Sequence, residues 1–211
     1  MSFKTESFKN TAATIISHLE KRGMSGIYCE TKEDIVAKVN ELIPDGSSVT
    51  WGGSETLVES GVLASLQNGN YELIDRKAAK TPEESRVLYG KIVCADYFLM
   101  STNALTVDGQ LINIDGNGNR VACLINGPAH VIVVAGINKI CANVEDGMRR
   151  IRTLASPPNA IRVGVKTPCA STGVCADCLS PGCICCQTVI TRKSMHPGRI
   201  TVILCPEEMG F

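Results

Sequence analysis

Six of the eleven cysteines crowd into residues 169–186: Cys169, Cys175, Cys178, Cys183, Cys185 and Cys186. Cys175 and Cys178 form a C-x2-C pair, a spacing that lets two thiolates reach one ion. Cys169 lies six residues before that pair, and the other three lie five to eight residues after it. Four thiolates can therefore be drawn from a 17-residue loop, with Gly173, Pro181 and Gly182 as its turns. The expected metal ligands are Cys169, Cys175, Cys178 and Cys185. Such a set suits zinc or an iron–sulfur cluster, and spacing does not separate the two. Zinc held by four thiolates would be structural, whereas a cluster would carry electrons. A redox-active thiol pair is the alternative, and His196 is a substitute ligand to weigh against an ordinary surface histidine.

Two further stretches suit an anionic small molecule. In Thr50-Trp-Gly-Gly-Ser-Glu-Thr56 the glycines let the backbone turn and approach a ligand, and Ser54 can cap a following helix whose free amides attract an anion. Gly52, Gly53, Ser54 and Thr56 are the binding candidates, set against a plain strand-to-helix turn. Residues 101–120 combine turn chemistry at Asp108-Gly109 and Asp115-Gly-Asn-Gly118 with an unusual density of amides around one arginine. Asn103, Asn113, Gly116, Asn119 and Arg120 are candidates to bind a carboxylate, phosphate or carbonyl. Asp115 is a candidate acid or base, or else an ordering residue of the loop. Asn138 and Lys139 follow the most apolar segment, and Lys139 would add a positive charge to the same crevice.

The pattern of apolar residues predicts the elements that position these groups. Phe8, Ala12, Ile15, Ile16 and Leu19 give a helix over 3–22 that Gly23 closes. Gly26–Cys29 reads as a strand. Thr31 and Asp34 make a near-capping box for a helix carrying Ile35, Val36, Val39, Leu42 and Ile43. Ser48–Trp51, Tyr71–Ile74 and Asp96–Met100 read as strands, and Thr81-Pro82 as a helix start. Ala104–Val107 and Leu111–Ile114 make a hairpin around Asp108-Gly109. Residues 119–126 and Val144–Leu154 are predicted helices, and 130–135 is a buried strand. Ser156-Pro-Pro158 reads as a break, Ile161–Val165 as a strand after it, and Arg199–Leu204 as the last strand. The expectation is a single domain over 1–211, three-layer α/β/α with a mostly parallel sheet. The cysteine-rich residues 167–188 would be an excursion before the final strand.

Composition narrows the partners. Lysine plus arginine and aspartate plus glutamate both number 21, and aromatics are 4% of the chain. Neither a global positive field nor stacking platforms are present, so nucleic acid and anionic membrane are not expected. Met1–Asn10 lacks an apolar signal segment, and Val131–Ile137 is too short to span a bilayer. Eleven cysteines without an export signal fit a reducing, cytoplasmic setting. Cys29, Cys94, Cys123 and Cys141 are expected to be buried small hydrophobes. A symmetric homodimer is expected from its frequency among soluble proteins.

The run from Ser101 through Asp108-Gly-Gln-Leu-Ile-Asn-Ile-Asp-Gly-Asn-Gly-Asn-Arg120 to Val121, followed by Gly127-Pro-Ala-His-Val-Ile-Val-Val-Ala-Gly-Ile-Asn-Lys139, resembles the LUD-domain (lactate utilisation) family. Thr167-Pro-Cys169, Gly173-Val-Cys175-Ala-Asp-Cys178, Ser180-Pro181 and Ile184-Cys185 resemble a carboxy-terminal cysteine motif of one branch, although Cys183 and Cys186 are extra to it. The resemblance implies a fold like that of glucosamine-6-phosphate deaminase, ribose-5-phosphate isomerase and the CoA-transferases. In such folds a glycine-rich loop like 51–56 faces a second loop like 108–116 across a ligand. It further implies a subunit of a system oxidising L-lactate to pyruvate with an iron–sulfur partner subunit. This chain lacks the long ferredoxin modules of that partner. Two rivals stand beside this expectation. One is a stand-alone enzyme acting on a phosphorylated or CoA-linked metabolite, with Glu55 as nucleophile or base. The other is a non-catalytic metabolite sensor with a structural zinc.

Overall fold

The computed structural model describes residues 3–211; Met1 and Ser2, the start of the polar amino-terminal stretch, lie outside them. Helix α1 (Phe3–Lys21) buries Phe8, Ala12, Ile15 and Leu19 along one stripe, as three-to-four spacing requires. Strand β1 (Ser25–Tyr28) leads to α2 (Lys32–Leu42), where Thr31 and Asp34 form a full capping box. Strand β2 (Ser48–Trp51) feeds the short helices α3 (Glu55–Glu59) and α4 (Val62–Asn68). Strand β3 (Glu72–Ile74) and a 3-10 turn at Arg76–Ala78 precede α5 (Pro82–Val93) and β4 (Tyr97–Met100). Next comes the hairpin of β5 (Ala104–Thr106) and β6 (Leu111–Asp115), then α6 (Asn119–Asn126) and β7 (His130–Gly136). A 3-10 turn (Ile137–Lys139) leads into β8 (Ile140–Cys141) and α7 (Val144–Arg150). The chain closes with a π turn (Ile151–Ala155), α8 (Ser156–Val163), α9 (Pro168–Thr172), β9 (Gln187–Thr191) and β10 (Ile200–Cys205).

The main sheet has strand order β1-β10-β7-β4-β2-β3, and every neighbouring pair is parallel. Side chains of β7 alternate between its faces. Val131, Val133 and Ala135 join the core under α1, while Ile132 and Val134 join the one under α2, α3 and α4. Both faces are thus covered, as an all-parallel sheet requires, and the three-layer α/β/α expectation holds. A second sheet, ordered β8-β5-β6-β9, is mixed: β5 pairs antiparallel with β6 and parallel with β8, and β6 pairs antiparallel with β9. Its Leu105 and Leu111 join the first core, and its Ala104 and Ile112 pack with Ile151 and Ala155. No helix among the described residues is long and apolar enough to cross a membrane.

Three expectations need correction. Ser156-Pro157-Pro158 does not break the chain: the Ser156 amide donates to the Ile151 carbonyl across a π turn, and both prolines sit in the first turn of α8. Proline is tolerated there because first-turn amides lack helical partners anyway. Residues 161–165 are not a strand, because α8 runs to Val163 and Gly164 ends it with φ +77°. The cysteine segment consequently follows helices and enters β9, whose β-branched run Thr188-Val-Ile-Thr191 was the available signal. Finally, Cys94 is exposed and Cys141 half-buried, whereas Cys29 and Cys123 are buried.

Candidate functional site

The carboxyl ends of β2 and β4 open onto a cavity of about 280 Å³ that is walled on its far side by the end of β6. Open parallel sheets leave such crevices where loops after neighbouring strands diverge. After β2 the Gly52 amide still donates to the Leu99 carbonyl (2.9 Å), so the chain leaves the sheet only at Gly53. A side chain at Gly52 would crowd the Arg120 stem, and one at Gly53 the Arg76 guanidinium. Ser54 caps α3 by accepting from the Leu57 amide at 3.3 Å. Glu55 and Thr56 also line the cavity. Glu55 pairs with Arg162 at 3.5 Å, while the Thr56 hydroxyl donates to the Met209 carbonyl at 3.2 Å.

Arg120 organises the opposite wall. Its Nε lies 3.2 Å from an Asp115 carboxylate oxygen. Its Nη1 donates to Asn113 Oδ1 and to the Ser101 carbonyl (3.4 Å). Its Nη2 donates to Asn103 Oδ1 (3.1 Å) and to the Ile114 carbonyl (2.8 Å). Every face of the guanidinium fork is therefore engaged by the protein. Asp115 also accepts from the Gly118 amide at 2.9 Å, and Asn103 from the Ile114 amide at 2.9 Å. Asn113 is fully buried, and its Nδ2 has no hydrogen-bond partner. Burial pushes the Arg120 pKa down, and Asp115 opposes that shift.

Lys139 sits at the base of the cavity and is only 2% exposed. It donates to the Phe211 main-chain oxygen at 2.7 Å and pairs with no side-chain carboxylate. Burial, followed by the neighbouring Arg150 guanidinium, pushes its pKa down to about 7 against a smaller opposing pull from Glu59. Arg150 itself donates to the Asn138 and Asn103 carbonyls and so ties two cavity loops together. Asn138 brackets the last residues, donating to the Met209 and Gly210 carbonyls (3.3 and 3.0 Å) and accepting from the Met209 amide.

Of the sequence-derived candidates, Gly53, Ser54, Glu55, Thr56, Asn103, Asp115, Gly116, Asn119, Arg120 and Lys139 line one cavity. Gly52, Asn113 and Asn138 lie behind it as supports. Sequence reasoning missed Arg76, Asn159, Arg162 and Ile184, which also face it. No local motif marks Arg76, Asn159 or Arg162, which come from a turn and a helix remote in sequence, while Ile184 enters the sequence reading only as part of the cysteine motif. Arg76 makes no ion pair among the described residues, so Arg76 and Lys139 are the cavity's cations without a side-chain carboxylate partner. Beyond Arg76 a second cleft continues along α5 and α6, with Lys77 and Arg86 at its rim and Leu88 and Tyr89 inside.

The cysteine segment forms a third cavity, of about 110 Å³, lined by Cys169, Cys175, Cys178, Cys183 and Cys185. Cys186 turns away, its thiol reaching the Cys183 carbonyl at 3.4 Å. Thr167 caps α9 and lies 3.3 Å from the Cys169 sulfur. Asp177 adopts φ +47° and pairs with Arg152 at 3.2 Å. Hydrogen bonding to Ser180 lowers the Cys178 pKa, and burial raises that of Cys185. Among the described residues no three acidic, histidine or cysteine side chains are spaced to hold an ion as they stand.

The family model described as LUD domain matches residues 12–205. The chain is similar in fold to a DUF162-family protein from Deinococcus radiodurans at 10% identity, covering 94% of this chain and 98% of that one with a TM-score of 0.56. It also overlaps an eIF2B delta subunit from Chaetomium thermophilum at 19% identity over 53% of this chain and 48% of the other, with a TM-score of 0.36. No curated protein matches the sequence.

Proposed function

The chain belongs to the LUD-domain family, and from that premise we propose that it serves lactate utilisation by binding a small hydroxy- or keto-acid in the cavity between the loop after β2 and the end of β6. The supporting observation is the pair of cations, Arg76 and Lys139, that face this cavity without a side-chain carboxylate partner among the described residues. A carboxylate there would complete their charge, and the α3 amides and Asn119 would hold its polar atoms. Arg120 would act indirectly, since its donors are occupied: it holds the 113–118 wall in shape. In this reading L-lactate gives up two electrons and two protons to become pyruvate. The electrons pass to an iron–sulfur partner subunit, while this chain binds and orients the acid.

Trp51, the single tryptophan, immediately precedes the loop and reports on occupancy. Titrating the protein with pyruvate, L-lactate and inorganic phosphate should give saturable fluorescence changes with the two carboxylates. Arg76→Ala should weaken them at least tenfold, the scale of one charge-assisted contact. Unaltered carboxylate affinity in both Arg76→Ala and Lys139→Met would sink the proposal. The cleft running on past Arg76 to Lys77 and Arg86 favours one rival, an enzyme for a phosphorylated metabolite with Glu55 as nucleophile or base. Tight binding of phosphate instead of carboxylates, with turnover abolished in Glu55→Gln, would move the assignment to it.

A further inference from the structure

The thiol-lined cavity and the anion cavity share a wall. Ile114 and Ile184 line both, and Ile184 stands between Cys183 and Cys185, which line only the thiol side. We infer that residues 183–186 form a coupling strap, and that a soft metal centre held by thiolates from Cys169, Cys175, Cys178, Cys183 and Cys185 stiffens the anion cavity and tightens its grip on the acid. The inference rests on the anion-binding reading for its consequence, though not for its site.

The strap is stitched to the anion wall along its length. The Cys186 amide donates to the Asp115 carbonyl at 3.0 Å, and β9 then pairs with β6 from Gln187 opposite Asp115 to Thr191 opposite Leu111. Asp115 is the residue that holds both Arg120 and the Gly118 amide. Gly116 lies against Ile184, where a Cβ would stand in van der Waals contact, 3.4 Å from the Ile184 carbonyl oxygen. On the other side the Cys185 thiol contacts the Ser156 hydroxyl at 3.5 Å. Ser156 starts α8, whose Asn159 and Arg162 line the anion cavity.

The donor set suits the metal. Five thiols around one small cavity exceed the four that zinc or an iron–sulfur cluster takes, and each ligand loses its proton on binding. No three of these side chains yet stand at coordination spacing, so loading must bring the thiols together, and any shift of Cys183 or Cys185 acts on Ile184 between them. The centre then covers the ordering cost that the anion would otherwise meet on binding, which is positive coupling without a contact between the two ligands.

The test compares full-length protein purified without oxygen with the same protein stripped by chelator and kept reduced. Elemental analysis and visible absorption separate the sources: zinc gives no absorption, and an iron–sulfur cluster gives iron, sulfide and colour. Loading should slow amide hydrogen exchange over residues 113–120 and lower the Kd for pyruvate about tenfold, within the usual range of coupling free energies. Cys178→Ser with Cys183→Ser should lose the metal and resemble the stripped protein. Ile184→Ala should keep the metal and lose most of the tenfold difference. Metal retention with unchanged exchange over 113–120 overturns the coupling, whether or not pyruvate binds. Failure of the reduced protein to take up zinc or a reconstituted cluster overturns the site. Protection of 113–120 on loading without any pyruvate binding upholds the strap and rejects the lactate reading instead.

Discussion

Arg120 and Lys139 carry the same formal charge but do different work. Arg120 is spent on five protein acceptors, so the wall it braces depends on the planar fork that lysine lacks. Lys139 has a main-chain oxygen as its partner and no side-chain carboxylate, and burial lowers its pKa to about 7, the point of charging. A carboxylate bound beside it stabilises the protonated form and raises that pKa. Below pH 7 the lysine is charged before binding, so affinity is at its maximum and flat. Above pH 7 binding must take up a proton, so affinity falls by up to about tenfold per pH unit until the bound-state pKa is passed. Calorimetry of pyruvate binding between pH 6 and pH 9 should show this slope, and Lys139→Met should flatten it. Asn103, Asp115 and Arg120 were legible in sequence as a polar block around a lone arginine. Which of them would face a ligand was not, because that depends on how many donors the fold itself consumes.

At the scale of elements, the cavity depends on how closely α7 packs on the hairpin of β5 and β6. Gly147 makes that contact: a Cβ there would collide with Ile112 Cδ1 and come within 3.3 Å of the Ala104 Cβ. One turn further on, Arg150 bridges the Asn103 and Asn138 carbonyls. Gly147→Leu should push α7 outward, destabilise the protein by about 1–3 kcal/mol through overpacking, and weaken pyruvate binding by loosening the Arg150 bridges. Urea unfolding midpoints and the Trp51 titration check both effects. A variant with wild-type stability and affinity would show that α7 does not position the loops. Caps and periodic stripes foretold α1, α2, α5 and α6 because local hydrogen bonds and one buried face specify each helix. The 156–158 region misled because two prolines normally end a helix, whereas here a π turn resets the hydrogen bonding just before them.

Over the whole molecule, the cysteines fall into three groups by exposure, with Cys141, Cys169, Cys175, Cys178 and Cys183 between the extremes. Cys29, Cys123 and Cys205 lie in the cores beneath the two helical layers. Burial pushes the Cys29 and Cys123 thiols up to about 11, so few thiolates are available to react. Cys94, Cys185 and Cys186 are exposed. Brief treatment of the reduced, metal-free protein with iodoacetamide should therefore label Cys94 and Cys186 at once, and Cys185 more slowly because burial raises its thiol pKa. Cys29, Cys123 and Cys205 should react only as urea unfolds the main sheet, in step with loss of circular dichroism. Rapid labelling of Cys123 in native buffer would contradict the core packing described above.

Hydrophobic periodicity, caps and turn residues were enough to specify a parallel sheet covered on both faces, because each acts over a few neighbouring residues. The same local reading found the glycine loop, the polar block and the thiol-rich loop as three separate passages. Only the folded chain decided that Arg76 and Arg162 face the first two. It likewise decided that Arg120 is spent on the protein, that Lys139 is buried beside Arg150, and that Ile184 stands between two cavities. Those relations join residues tens of positions apart through sheet order and strand pairing, which no single stretch of sequence encodes.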